Sequence, residues 1–344
     1  MGSTETTKNT KNDAESTYGN GNHFVAYLTF TGIFFVIFVV NILLLIGLYY
    51  WPRWIGVLFI LLYYMFNFTI GNYEMKDGAP WKYFSQNFFA FHIMRNHIKL
   101  KFQTPLPKEL IHSEKEQEKE KEQATYIMAM FPHGVSSDHR ILMEGILHTV
   151  LPNVHTKVRT LAASVLFRIP LAREIALWTG CIDARRKVAE RALDKGFSLL
   201  VHPGGMPEQL RTKHGKELVY ISKRKGFIKL AMRKGVPVLP IYVFGVNDLY
   251  YTSDFIFGLR EWIMKNLGMC IPLASGYLGS GFVPLPCETT IVFGKPLSFE
   301  MKVKGSPTAE ELDEAHAQFC SALKQLFDDN KTKLGFGDRE LEMI

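Results

Sequence analysis

The sequence predicts an α/β domain tethered by an N-terminal membrane hairpin of two helices. Two observations predict it. Two runs without a formal charge, Phe24–Tyr50 and Trp54–Ile70, are separated only by Trp51-Pro52-Arg53. From Ala124 onward, short apolar segments alternate with helical stretches closed by glycine, the pattern of a layered α/β fold. The chain of 344 residues, 47% of them hydrophobic, is long enough to bury a sizeable core.

Residues 1–23 are polar, rich in Thr, Asn, Gly and Lys, and are expected to lack fixed structure. The run Phe24–Tyr50 exceeds the ~20 apolar residues that a span needs. It is too long for a signal-peptide core. With Trp54–Ile70 it forms the hairpin of residues 24–70, which enters and leaves the bilayer on one side. Lys8 and Lys11 precede it, Lys76, Lys82 and Arg95 follow it, and only Arg53 sits at its turn. That balance places both ends of the chain in the cytosol.

Residues 71–123 are expected to be a membrane-surface segment and a charged linker. Trp81–Phe102 mixes aromatic and basic residues and suits either the bilayer surface or packing on the domain. Ser113–Gln123 is a solvated charge run.

The domain of residues 124–344 is predicted to contain strands at 124–130, 158–164, 197–201, 236–244 and 289–294. Helices are predicted at 165–179, 185–195, 222–234 and 310–328, the last opened by a capping box of Thr308 and Glu311. The four cysteines form no C-x-x-C pair, so a zinc ribbon or dithiol motif is unsupported and reduced thiols are expected. The net charge of +7 suits a membrane, an anionic substrate or nucleic acid alike. The basic stretches lack a nucleic-acid-reading motif, and the hairpin argues against that class.

The chemistry is expected at F-P-H-G-V-S-S-D, Phe131–Asp138. His133 follows directly from a strand, where functional residues of such folds collect. An imidazole titrating near neutrality can take a proton from a hydroxyl. Asp138, five positions on, could turn back to orient it, and Gly134 leaves room for a substrate. A second strand end, V-H-P-G-G-M-P-E, places Gly204, Gly205 and Glu208 after a similar turn. Arg224 and Lys225 open a predicted helix, where cations oppose the macrodipole unless an anionic ligand sits there. His139 is read as surface or local support. G-x-S-x-G, H-E-x-x-H and G-x-x-x-x-G-K-[ST] do not occur.

Together these stretches resemble the diacylglycerol acyltransferase type 2 family, which includes monoacylglycerol and wax-alcohol acyltransferases. The resemblance rests on the apolar hairpin, W-K-Y-F (Trp81–Phe84), F-P-H-G (Phe131–Gly134), P-G-G-M-P-E (Pro203–Glu208), R-K-G-F-I-K-L-A (Arg224–Ala231), F-G-V-N-D-L-Y (Phe244–Tyr250) and G-F-G-D-R-E-L-E (Gly335–Glu342). It implies a glycerolipid-acyltransferase-like domain at 124–344 that moves an acyl group from acyl-CoA to diacylglycerol. Monoacylglycerol, a fatty alcohol or a lysophospholipid are the alternative acceptors. A non-catalytic lipid-binding protein on the same fold is a further alternative.

The resemblance implies His133 and Glu208 as catalytic residues, and the reading of the His133 loop adds Asp138 to them. Phe131, Pro132, Gly134, Gly204, Gly205, Arg224, Lys225 and Asn247 are the expected substrate-binding ones. No metal or cofactor is expected beyond acyl-CoA as co-substrate. The expected setting is the endoplasmic-reticulum membrane or a lipid droplet, and a homo-oligomer is compatible with it. Phe131 stands where animal members often have a first histidine, and Val246 where the family often has Glu. The H-x4-D spacing of His133 and Asp138 is more typical of glycerol-phosphate and lysophospholipid acyltransferases.

Overall fold

The computed structural model describes residues 22–50, 53–68, 71–103, 105–106, 125–151, 157–301 and 305–344. The expectations for the polar N-terminus up to residue 21 and for the charge run Ser113–Gln123 lie outside the described residues.

A seven-stranded sheet organises the domain, in the order β1-β10-β7-β2-β5-β3-β4. The strands are β1 (Lys101–Phe102), β2 (Ile127–Phe131), β3 (Val158–Ala162), β4 (Cys181–Asp183), β5 (Ser198–Val201), β7 (Val238–Phe244) and β10 (Thr290–Phe293). Two short ladders stand apart from this sheet, β6 (Glu217–Val219) with β11 (Leu341–Met343) and β8 (Tyr251–Thr252) with β9 (Ala274–Ser275). All neighbours are parallel except β10 and β7. Every residue of β2, β5 and β7 is buried. These central strands read as unbroken apolar runs because helices cover both faces of the sheet.

Successive residues of β2 feed two cores. Met128 and Met130 point to the face covered by α4 (Phe89–His97) and α5 (Asp138–Val150). Ile127, Ala129 and Phe131 point to the face covered by α7 (Arg186–Asp194), α9 (Gly226–Lys234) and α11 (Ala309–Lys331). Thr308 and Glu311 form the capping box that starts α11.

The helix predicted at 165–179 is split. A 3₁₀ turn, Ser164–Arg168, precedes α6 (Ala172–Trp178). Pro170 lacks the N–H that a continuous helix would need there. The helix predicted at 222–234 starts later, at Gly226, and Lys225 is its N-cap.

Trp81–Phe102 packs on the domain. Phe91, Met94, Ile98 and Leu100 lie in the core, and β1 pairs with β10. Arg95 Nε donates to the Leu142 carbonyl at 2.7 Å. Trp81, Tyr83 in α3 (Lys82–Asn87) and Phe89 remain exposed.

At the N-terminus, α1 (His23–Tyr50) is long and apolar enough to cross a membrane. Its 28 residues extend ~42 Å at 1.5 Å each. α2 (Arg53–Phe68) has 16 residues, or ~24 Å, against a hydrocarbon core of ~30 Å. Among the described residues there is therefore one helix of spanning length, where two spans were expected. α2 instead ties back to the domain: Tyr63 donates to Glu174 at 3.1 Å and Tyr64 to the Arg168 carbonyl at 3.0 Å. α1 also runs along the domain. His23 meets His97, Phe34 stacks on Phe282 with ring centres 4.6 Å apart, and Asn41 reaches the Pro170 carbonyl.

Candidate active site

Strands β2 and β5 are parallel neighbours, with Ala129 opposite Val201. Each ends in a turn carrying histidine and glycine. Their carboxyl ends therefore bring His133 and His202 side by side, with ring centres 5.2 Å apart at 64°. This is the edge at which open α/β sheets hold ligands.

The His133 ring is half-buried. Nδ1 lies 3.0 Å from the Gly134 carbonyl oxygen. That oxygen can only accept, so it selects the tautomer with hydrogen on Nδ1 and a lone pair on Nε2. Ser137 Oγ lies along the ring edge, 3.0 Å from Nδ1 and 3.2 Å from Nε2. Burial lowers the His133 pKa below its ordinary value, and the Gly134 carbonyl partly opposes this.

Glu208 acts on the backbone. It lies in α8 (Gly205–Arg211) and is fully buried. Its Oε1 accepts the main-chain N–H of His133 at 2.5 Å, and its Oε2 accepts that of Tyr220 at 2.6 Å. Burial raises its pKa from 4.5 to about 7, against the pull of those two N–H groups and Arg224. Next to it, Gln209 Nε2 donates to the Val135 carbonyl at 2.5 Å. α8 thus clamps the His133 loop at two points.

The two glycines of that turn differ. Gly204 has ordinary helical angles, but a Cβ there would run into the Glu208 carboxylate. Gly205 has φ of +55° with open space around it, and its N–H donates to the His202 carbonyl at 3.1 Å. Gly134 has φ of +68° and a side chain there would meet Val246.

The structure redirects several expected residues. Asp138 does not orient His133. Its Oδ2 accepts from Ser136 and from the Tyr250 hydroxyl, the latter at 2.9 Å. Burial raises its pKa despite those donors. Ser137 lies in the left-handed region at φ of +57°, which starts α5 in a direction that turns Asp138 toward Tyr250. Phe131 is sealed in the core against Phe319, and Pro132 is buried with it, so neither ring faces a substrate. Asn247 Nδ2 holds the Lys216 carbonyl at 2.8 Å. Lys225 pairs with Asp313 of α11 at 2.5 Å. Arg224 stays near the site: it donates to the Gly204 carbonyl at 3.2 Å and lies over the Tyr220 ring.

His202, beside His133, is the neighbour that sequence reasoning passed over. His139, expected at the surface or as local support, is fully buried against His202. Its Nε2 lies 3.4 Å from Nε2 of His202, and its Nδ1 has no partner. Burial lowers His139 to about 3 and His202 well below 6.5, so both stay neutral. The available signal was a histidine placed just past each of two strands. Among the described residues, no three His, Cys, Asp or Glu side chains are grouped to hold a metal ion.

An apolar cavity of about 590 Å³ lies between α1, the aromatic segment of α3 and α4, and α6. Ile33, Phe84, Phe88, Ile175 and Trp178 are among its walls.

The family model described as diacylglycerol acyltransferase matches residues 35–343. The chain belongs to the diacylglycerol acyltransferase family. It is 33% identical over 233 residues to a diacylglycerol O-acyltransferase 1 of Eremothecium gossypii, covering 64% of this chain and 50% of that protein. It is 30% identical over 234 residues to a protein of the same name from Saccharomyces cerevisiae, covering 64% and 55%. It is 28% identical over 284 residues to diacylglycerol O-acyltransferase 2 of Bos taurus, covering 78% and 72%. The matched region spans about half the length of the two fungal relatives. In this member of the family the F-P-H-G turn is the loop braced by Glu208.

Proposed function

We propose that the chain is an acyl-CoA-dependent O-acyltransferase that forms triacylglycerol from diacylglycerol, with His133 as general base. The observation that carries this reading is the His133 ring: the Gly134 carbonyl holds the hydrogen on Nδ1 and so puts the basic lone pair on Nε2, where Ser137 Oγ at 3.2 Å stands in the place an acceptor hydroxyl would take, in a family named for this transfer. Nε2 takes the acceptor proton as the oxygen attacks the thioester carbonyl. The tetrahedral oxyanion then collapses, the C–S bond breaks, and the CoA thiolate takes the proton from the imidazolium. General-base help of this kind is worth about 10²–10⁴-fold. No covalent enzyme intermediate is needed, because a thiolate is a good leaving group.

Glu208 serves this reaction by fixing the main chain of His133, and the neutral His202 ring backs the imidazole. The Gly205 N–H is already engaged, so the Gly134 side of the cleft is the better place for oxyanion donors. Arg224 beside the Gly204 turn is the better of the two expected cations for the CoA phosphates. Lys225 is drawn to Asp313.

The membrane setting is supported by α1 and by the apolar cavity beside it, which suits the hydrocarbon tails of a glyceride. Insertion of α1 in the endoplasmic-reticulum membrane, with the domain on the cytosolic side, fits this arrangement. Asp138 facing Tyr250 weakens the H-x4-D argument for a lysophospholipid acceptor. Membranes carrying the protein, given labelled acyl-CoA and each acceptor in turn, test the reading. Triacylglycerol should form with wild type and be lost in His133→Ala. Faster transfer to lysophosphatidic acid at equal surface concentration would overturn the acceptor assignment.

A further inference from the structure

Among the described residues, a further segment beyond α1, α2 and the aromatic stretch of α3 and α4 presents apolar side chains outward. α10 (Phe257–Leu267) and the residue pair before it expose Phe255 at 69%, Leu259 at 53% and Trp262 at 55%. Leu259 and Trp262 lie on one face of the helix, and Phe255 and Ile256 in the turn before it and Leu267 at its end widen the exposed apolar surface. The buried residues of the helix are Arg260 and Met264. Arg260 is 3% exposed and donates to the Phe255 carbonyl at 3.0 Å and the Ser253 carbonyl at 2.7 Å. Glu261 is paired with Arg211 of α8. A helix facing water keeps bulky apolar side chains such as Leu259 and Trp262 off its exposed face.

The patch is continuous with the membrane helix. The chain after α10 returns through β9 (Ala274–Ser275), which pairs with β8 (Tyr251–Thr252). It then presents exposed Leu278 and Phe282, and Phe282 stacks on Phe34 of α1. Tyr277 lies against Tyr27 of the same helix. The outward face of α10 therefore extends the surface of a helix that is long and apolar enough to cross a membrane. The remaining charges stand at the rim in pairs, Lys213 with Asp254 at 2.8 Å and Lys265 with Glu261 at 3.0 Å.

We propose that Phe255, Ile256, Leu259 and Trp262 dock α10 and the turn before it into the lipid interface, as a second membrane contact separate from α1. Aromatic side chains suit the headgroup boundary, and a helix lying in that plane sinks ~5–10 Å. The consequence is positional. α10 holds α8 through Glu261 and Arg211, and α8 carries Glu208, which braces His133. Bilayer contact at α10 sets the depth and tilt of the cleft, so that a neutral lipid reaches Nε2 without leaving the membrane.

This inference rests on the membrane reading of α1, and the test separates the two. The full chain is reconstituted into phosphatidylcholine vesicles containing a phosphatidylcholine with a diazirine on its acyl chain. After irradiation, adducts are mapped by mass spectrometry. Adducts are expected on α1 and on residues 255–262, and none on the exposed face of α11 around Lys324. Labelling of α1 without residues 255–262 overturns this proposal alone. Labelling of neither overturns the membrane reading with it. Sedimentation in detergent then compares wild type with the variant Phe255→Ser, Leu259→Ser, Trp262→Ser. Equal mass for both is expected. A dimer that only the wild type forms would make the patch a contact between two copies of the chain and overturn the lipid assignment.

Discussion

The main-chain N–H of His133 is bonded to the buried carboxylate of Glu208, 75 residues away in sequence, at 2.5 Å. The second oxygen of the same carboxylate holds Tyr220 N–H. One side chain thus fixes the backbone of the His133 loop and of the turn that carries Arg224. In the proposed mechanism Glu208 acts through position, because both of its oxygens are committed to main-chain N–H groups.

Glu208→Gln should lower kcat by about 10²-fold, in line with the cost of misplacing a catalytic group by ~1 Å. The amide offers one acceptor and one NH₂, so either the His133 or the Tyr220 N–H loses its partner. KM for acyl-CoA should change little. The variant also has a stability signature. Burial raises the folded-state pKa of Glu208 from 4.5 to about 7. Its contribution to folding is therefore fully present below ~4.5 and is lost as pH rises to about 7, by up to about 3 kcal/mol. Thermal unfolding measured across that window should show wild type losing its advantage over Glu208→Gln as pH increases. An advantage that grows with pH would contradict the buried, raised carboxyl.

The two adjacent glycines separate space from backbone conformation. Gly204→Ala inserts a methyl where the Glu208 carboxylate sits, so it should abolish most activity. Gly205→Ala meets no atom within 4 Å but must hold φ at +55°. It should cost only ~1 kcal/mol of stability and leave the rate within a few-fold. Initial rates and melting temperatures of the two purified variants check this ordering. Equal loss of activity in both would place the effect elsewhere in the turn.

Much of this architecture was legible. The buried strands were visible as continuous apolar runs at 197–201 and 236–244, and α11 as a helix started by Thr308 and Glu311. His133 was legible because it follows β2 directly. The partnership of Asp138 was not, since a spacing of five says nothing about the left-handed turn at Ser137 that sends it toward Tyr250. His202 stood in a stretch already singled out. Its meaning depends on β2 and β5 being neighbours, which is a long-range pairing that local pattern does not encode. The split near Pro170 was readable from the proline alone. The hydrogen bonds of Tyr63 and Tyr64 to the domain were not readable, because they join residues more than a hundred positions apart.

The pH dependence of the rate should report two groups. His133 must be neutral to act as base, and burial lowers its pKa. Activity should therefore rise through a midpoint below the 6.5 of an unperturbed histidine. The groups around it are neutral His202 and His139, the buried Arg140, and Glu208 through the main chain. Glu208 titrates near 7 and should add a second inflection there. Profiles of kcat/KM from pH 5 to 8 should keep the first inflection in Glu208→Gln and lose the second. A first midpoint above 6.5 would count against the lowered imidazole.

Asp138 and Tyr250 form a buried pair at 2.9 Å that ties the first turn of α5 to the chain entering β8. Ser136 Oγ joins both, and Tyr250 also reaches the Phe282 carbonyl at 3.3 Å. If this pair shapes the loop, Asp138→Asn and Tyr250→Phe should each reduce activity by a similar factor. The double variant should be little worse than either single one, because each change already breaks the shared bond. Both should reduce kcat while leaving the acid limb set by His133 in place, since neither group touches the ring. If Asp138 instead oriented His133, Asp138→Asn would shift that limb and Tyr250→Phe would not. The four-member cycle of wild type, both single variants and the double variant, each with its pH profile, decides between a loop brace and an imidazole partner. A coupling energy near zero together with a shifted limb in Asp138→Asn alone would return Asp138 to His133.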